Sequence, residues 1–302
     1  MEYLNEDEVR RRLTYAALLP EVERALVNLS LGRTQQPVRT VLRIAEHEGF
    51  FALMPAVDGD LMGVKLVTFY ERNQKLPTHQ AVIQLLSAKT GEPLVAMDGR
   101  LITEMRTAAV SAVAVRLFAR EEAPVLAILG SGVQARSHLE ALQLVRTFGE
   151  VRVWSRTAEH ARRFAAECGA RVMESAEEAV RGAAVVVTVA SVREPLVRGA
   201  WLGEQALVCA VAVVTPDRRE LDDAAMEGAI VVESREAAGR ESGDIRGSEQ
   251  PIYAELGEVL AGVRSVPRGR VIFKSLGVAA VDIATAGLVW RRGVAPSPTK
   301  LR

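Results

Sequence analysis

Between Pro37 and about Asp98 the apolar residues fall into short runs, Val38–Ile44, Phe50–Met54, Gly63–Phe69, Ala81–Leu86 and Pro93–Met97. Turn signals at His47-Glu-Gly49, Asp58-Gly59 and Lys89-Thr-Gly91 separate them, so the pattern predicts consecutive strands with no helix between them. Ahead of this stretch, residues 5–31 carry helical spacing. Asn5 with Glu8 three places on makes a capping box, and Pro20 is expected to open a second helix with Val22, Leu26 and Leu29 on one face. Thr103 to Ala119 predicts a long Ala/Val-rich helix, closed by the polar break Arg120-Glu-Glu-Ala-Pro124. Beyond that break the period alternates. Strands are expected at 125–129, 151–154, 184–190, 207–214, 229–232 and 271–275, with helical segments such as 137–148, 158–168 and 176–182 between them. An Ala-rich helix, 279–290, is expected to return to the first domain, and the tail 293–299 to be disordered or loosely packed.

The first alternating strand runs straight into chemistry. Val125-Leu-Ala-Ile-Leu129 is followed by Gly130-Ser-Gly132-Val-Gln-Ala135, a Gly-x-Gly-x-x-Ala string. Gly130 permits the tight turn, Gly132 lets backbone N–H groups approach a pyrophosphate, and Ala135 lets the following helix pack close to the strand. Gly130, Ser131, Gly132, Val133 and Gln134 are therefore expected to hold the phosphates of a dinucleotide. Val189, at the end of the 184–190 strand, joins the expected cofactor contacts. About 20 residues past the glycines an acidic side chain would read the adenosine ribose and signal NAD. Here Ser155-Arg156-Thr157 stands at the end of the second strand, and a guanidinium flanked by two hydroxyls suits a 2′-phosphate. The cofactor expected is NADPH (NADP+), with NADH less favoured. The fold class is α/β: a Rossmann-type domain at 121–278, plus a discontinuous α+β domain at 1–120 and 279–302.

Composition narrows the function classes. With 302 residues, 49% of them hydrophobic, the chain can bury a large core. Lys+Arg and Asp+Glu both number 38, so no net field draws in nucleic acid or an anionic membrane. Two cysteines, an acidic N-terminus without a signal-peptide pattern and the lack of a membrane-length apolar run point to the cytoplasm. No His/Cys/Asp cluster has metal-ligand spacing, and no metal is expected.

Three cations stand out in the first domain. They are Arg39 in Pro37-Val-Arg-Thr40, Lys65 within an otherwise apolar strand, and Arg106 at the start of a helix with no further charge until Arg116. A buried lone cation is costly, so each requires an anionic partner, either a structural Asp or Glu or a substrate carboxylate. His79 falls on a strand of the same domain, where it either positions substrate or serves as a hydrogen-bonded structural histidine.

The chain resembles the ornithine cyclodeaminase/mu-crystallin family. The matching pieces include Pro37-Val-Arg-Thr40, Lys65-Leu-Val-Thr-Phe-Tyr-Glu71, His79-Gln-Ala81 and Met97-Asp-Gly99. They continue through Arg106-Thr-Ala-Ala-Val-Ser-Ala112, Gly130 to Ala135, Trp154-Ser-Arg-Thr157, Arg219-Glu-Leu-Asp-Asp223, Glu241-Ser-Gly-Asp244 and Phe273-Lys-Ser-Leu-Gly277. The resemblance implies a homodimer built through the first domain and an active site in the cleft between domains. It also implies that Arg39, Lys65 and Arg106 grip a substrate carboxylate, and that Ser275 and Leu276 lie beside the nicotinamide.

Two positions depart from the family pattern. Ornithine-cyclising members carry an acidic residue two places before the proline matching Pro216; here that position is Val214, which cannot carry a proton. Ala212 stands where members commonly have glycine. Loss of the acid disfavours deamination and leaves imine reduction, which needs chiefly hydride at carbon. The expected function is NADPH-dependent reduction of a cyclic ketimine carboxylate of the piperideine- or pyrroline-2-carboxylate type. The alternatives are an NADPH-dependent protein binding an iodothyronine-like ligand with little catalysis, and an amino-acid dehydrogenase.

Overall fold

The computed structural model describes residues 1–293, and the tail from residue 294 on, expected above to be loose, lies outside the described residues. The chain divides into two compact units, Met1–Arg106 with the residues from Val278 on, and Thr107–Gly277. The sequence reading placed the first division near residue 120; it falls at 106/107, inside a helix.

The first unit contains β1 (Glu2–Leu4), α1 (Glu6–Arg12), α2 (Tyr15–Ser30), β2 (Thr34–Gln35), β3 (Thr40–Ile44), β4 (Gly49–Asp58), β5 (Leu61–Tyr70), β6 (His79–Ser87) and β7 (Pro93–Asp98). It takes in the start of α3 (Arg100–Phe118) and also α10 (Ala279–Arg291). Its sheet runs β1-β7-β6-β5-β4-β2, with β3 also on β4. All pairs are antiparallel except β1 on β7. Buried positions alternate along β4, β5 and β6, the mark of a sheet covered on one face. The cover includes α10, which packs on β4, β5, β6 and α2. Contact there is close: a Cβ on Gly63 would lie 2.9 Å from Ile283 Cδ1.

Pro20 does not open a helix. It lies inside α2, whose buried stripe, Tyr15, Leu18, Val22, Ala25 and Leu26, runs through it. A proline one turn into a helix forfeits a single backbone bond, and the continuous apolar face outweighs that loss.

The second unit alternates: β8 (Val125–Leu129), α4 (Val133–Gln143), β9 (Glu150–Trp154), α5 (Ala158–Cys168), β10 (Arg171–Val172), α6 (Ala176–Val180), β11 (Val185–Thr188), β12 (Leu207–Ala210), β13 (Ala229–Val232), α7 (Arg235–Glu241), α8 (Gly243–Arg246), β14 (Ile252–Glu255), α9 (Leu256–Leu260) and β15 (Val271–Lys274). The strands form one parallel sheet in the order β10-β9-β8-β11-β12-β15-β13-β14. Strand order reverses between β8 and β11, and such a switch point is where a doubly wound Rossmann sheet binds its ligand. Four of these strands, β8, β11, β12 and β15, are buried almost throughout, as a sheet covered on both faces requires.

Candidate active site

In the first unit the strand pattern explains why Lys65 is buried. Gly63, Lys65 and Val67 share the covered face of β5, with Met54 and Ile83 as the cross-strand neighbours of Lys65. An ammonium in such a place needs an anion, and Asp282 supplies it. Lys65 Nζ lies 2.7 Å from Asp282 Oδ2, and Arg106 Nε donates to Asp282 Oδ1 at 3.0 Å. Asp282 belongs to the first turns of α10, where the positive end of the helix favours a carboxylate. It is fully buried, and Arg106 is 5% exposed. Arg106 sits in the second turn of α3, because the helix begins three residues before the expected Thr103. The structural partner left open by the sequence is therefore Asp282, which the reading did not single out. Its signal was a lone acid in the apolar run Val278-Ala-Ala-Val-Asp282-Ile-Ala.

One carboxylate does not satisfy this cluster. Arg106 Nη1 is buried with no hydrogen-bond partner. Burial, reinforced by the charges of Arg106 and Arg39 and only partly offset by Asp282, pulls the Lys65 ammonium down to about 7. Burial opposes ionisation of Asp282, but Arg106 and Lys65 hold its carboxyl below the ordinary range. Arg39 is half-buried between β2 and β3, near enough for its charge to act on both. His79 opens β6; burial and then Lys65 and Arg106 lower its pKa to about 4, so it is neutral at physiological pH. The structure thus brings Lys65 and Arg106 together on Asp282, with Arg39 and His79 within electrostatic reach. Two cations there share one carboxylate, and one guanidinium nitrogen is left over.

The second unit carries the glycine loop. α4 starts at Val133 rather than Ser137, which makes Gly132 its N-cap, with no side chain capping the first turn. The amides of that turn point away from any intrahelical carbonyl. Gly130 has φ +128°, and a Cβ there would come within 2.9 Å of the Val189 backbone, so only glycine fits. The same addition at Gly132 would meet nothing within 4 Å, and Gln134 Oε1 is buried without a partner. An open cradle and an uncapped helix start fit the pyrophosphate of a dinucleotide. Arg136 braces the loop from behind, donating to the Ser131 carbonyl at 2.7 Å while stacking over Phe164. His138 is structural, between Ser111 Oγ at 3.0 Å and the Gln134 carbonyl at 2.8 Å. At the end of β9, Ser155 is half-buried, while Arg156 and Thr157 are exposed.

Further along the carboxyl edge of this sheet lies a buried charge network. Glu220 accepts from Lys274 Nζ at 2.5 Å, from the amides of Ala212 at 3.1 Å and Val213 at 2.9 Å, and from the Thr188 hydroxyl. Asp244 lies 3.0 Å from Lys274 Nζ and accepts from the Glu220 and Leu221 amides. Burial opposes the charge on Lys274, but the two carboxylates raise its pKa. Glu233 accepts from the amides of Leu276 at 2.6 Å and Gly277 at 2.8 Å, and from the Ser275 hydroxyl at 3.3 Å. Ser275 and Leu276 are thus buried and pinned. Val214 is partly buried and packs against the apolar core of this unit. The sequence reading missed Glu220, Glu233 and Asp244. Among the described residues no group of three His, Cys, Asp or Glu could hold a metal ion, and no helix is long and apolar enough to cross a membrane.

The model of the ornithine cyclodeaminase/mu-crystallin family matches residues 2–295, nearly the whole chain. The chain belongs to this family. Among family relatives, the ketimine reductase mu-crystallin of Rattus norvegicus is 45% identical over 300 residues, 95% of this chain and 96% of that one. Two solved structures share the architecture at a TM-score of 0.90. One is the Thermococcus litoralis Delta(1)-pyrroline-2-carboxylate reductase in complex with NADH and L-proline, 35% identical and covering 97% of each chain. The other is an archaeal alanine dehydrogenase dimer with bound NAD, 31% identical and covering 97% of this chain and 95% of that one. The family fold therefore extends over both units.

Proposed function

We propose that this protein is an NADPH-dependent reductase of cyclic ketimine carboxylates, of the piperideine- or pyrroline-2-carboxylate type. The observation that carries this reading is the buried Lys65–Asp282–Arg106 cluster, where two cations share one carboxylate and Arg106 Nη1 is unpartnered. A substrate carboxylate completes it: Arg106 donates through Nη1, Lys65 adds a second charged donor, and Arg39 adds its field. Asp282 fixes both side chains before substrate arrives, so little reorganisation accompanies binding. A bound nicotinamide supplies the hydride for the C=N carbon. The chain's own part is to hold the carboxylate. With Val214 in place of an acid, no side chain there removes a proton from an amine, which favours reduction over deamination. The relatives named above support the substrate class, and the archaeal dimer supports assembly as a homodimer.

Selectivity for NADPH rests on Arg156, exposed at the end of β9 between Ser155 and Thr157. Arg156→Ala is expected to weaken NADPH binding about ten- to a hundredfold, the worth of a charge-assisted pair, with NADH affected little. Equal losses for both coenzymes in titrations would refute the 2′-phosphate role.

Lys65 makes carboxylate binding pH-dependent. With its pKa lowered to about 7, it is charged below that pH and neutral above it, so affinity is present at low pH and lost as pH rises. The probe is L-proline with oxidised cofactor, because the amino acid keeps its charges from about pH 6 to 9. Its Kd should rise above pH 7, with proton uptake on binding; a flat profile sinks the assignment.

The whole reading is tested by following NADPH absorbance with piperideine-2-carboxylate, with NADH in parallel. Rapid oxidation of NADPH is expected. Inertness with both coenzymes, in protein shown to bind NADPH, would overturn the reductase reading in favour of an iodothyronine-type binding protein.

A further inference from the structure

A dinucleotide on this sheet has its adenosine ribose at the end of β9, to one side of β8, so its nicotinamide half lies across the switch point, toward β11, β12 and β15. Those three strands end on the Glu220 network, and β13 beside them ends on Glu233. The charges there do not balance. Among the described residues of the second unit Lys274 is the only fully buried Lys or Arg, against three buried acids at this edge, Glu220, Glu233 and Asp244. His138, also buried, does not help, because burial lowers its pKa to about 4 and leaves it neutral. Arg219, next to Glu220, pairs through Nη1 with the exposed Asp223, while its Nε and Nη2 are buried and hydrogen-bond to none of these acids.

Glu220 and Glu233 are each surrounded by hydrogen-bond donors. Two donors converge on each oxygen of Glu220, one of them the Lys274 ammonium, so a proton on it would find no acceptor. Glu233 takes two amides and a hydroxyl, with no cation. Burying an excess of negative charge costs stability, and the backbone amides that Glu220 and Glu233 accept offset only part of it. The chemistry of the site gives a reason for the rest. A reduced nicotinamide ring is neutral, and the ring left after hydride departs with its electron pair carries one positive charge.

We propose that Glu220 and Glu233 form an electrostatic device that favours the oxidised, cationic nicotinamide over the reduced one and so eases hydride release. This rests on the dinucleotide-binding reading above. It also gives Glu220 a second task, positioning the backbone at Ala212 and Val213.

The test needs no substrate. Kd values for NADP+ and NADPH are measured by calorimetry and nicotinamide fluorescence for the parent, Glu220→Gln, Glu233→Gln and Lys274→Met. Removing one negative charge should weaken NADP+ relative to NADPH by about tenfold, the effect of a unit charge near 10 Å at an effective dielectric near 20. Lys274→Met should shift the ratio the opposite way. Loosened packing alone weakens both forms together, so an unchanged Kd ratio in the glutamine variants overturns the proposal. If Glu220→Gln does not fold, Glu233→Gln decides, since a glutamine oxygen can still accept both amides. Failure of the parent to bind either form would sink the dinucleotide reading itself, a separate outcome.

Discussion

Replacing Arg106 by alanine is expected to lower kcat/KM for piperideine-2-carboxylate by about a thousandfold, the range seen when one partner of a buried, hydrogen-bonded charge pair is removed. Two contacts go at once: the 3.0 Å bond from Nε that orients Asp282, and the Nη1 group left open for the incoming anion. Lys65 remains, but it then shares Asp282 with no other buried cation and becomes a neutralised ion pair, with little residual attraction for a second carboxylate. Arg106→Lys should recover only a small part, because an ammonium cannot serve Asp282 and a substrate oxygen with the spread of a planar fork. The measurement is steady-state kinetics with the carboxylated imine. Turnover by Arg106→Ala within a few-fold of the parent would mean that the carboxylate is held elsewhere.

Asp282→Ala should produce the largest loss of stability. It leaves Lys65 and Arg106 buried without a counter-ion, a change that costs about 3–5 kcal/mol. For a chain of this size that corresponds to a melting temperature lower by roughly five to eight degrees. Lys65 is then expected to stay neutral to well below pH 7, because the principal influence raising its pKa is gone. Asp282→Asn keeps an acceptor oxygen and should fall between the two. Thermal unfolding followed by circular dichroism tests this, and a melting temperature for Asp282→Ala within two or three degrees of the parent would show that the cluster does not depend on its carboxylate.

These two residues mark the limit of what was legible in the chain. Gly130 to Ala135 could be read because six contiguous residues encode the turn, the close approach and the helix packing together. Arg106 and Lys65 could be read as cations that need a partner, since an isolated charge in an apolar segment is a local signal. Their partner could not, because Asp282 lies 176 positions beyond Arg106 and nothing local ties the two. Glu220 and Glu233 escaped for the same reason. Each reads as one more acid in a chain with 38 acidic side chains, and only the parallel ordering of β11, β12, β15 and β13 shows what they face. Short elements were hidden differently. β1 and β10 have three and two residues, too few to show a period, and β1 is fixed only by its parallel pairing with β7. The helix after the glycine loop was placed four residues late because its N-cap is a glycine without a capping side chain.

The discontinuity of the first unit sets an order of events during synthesis. The second unit, Thr107–Gly277, is complete before residue 278 has been translated. The sheet of the first unit by then has every strand but lacks α10, and with it both a cover on β4, β5 and β6 and, among the described residues, the only carboxylate bonded to Lys65 and Arg106. A nascent chain halted at Gly277 therefore holds every residue of the second unit, while the first unit still lacks a helix that covers its sheet. The unit begun first is the last to have all its residues.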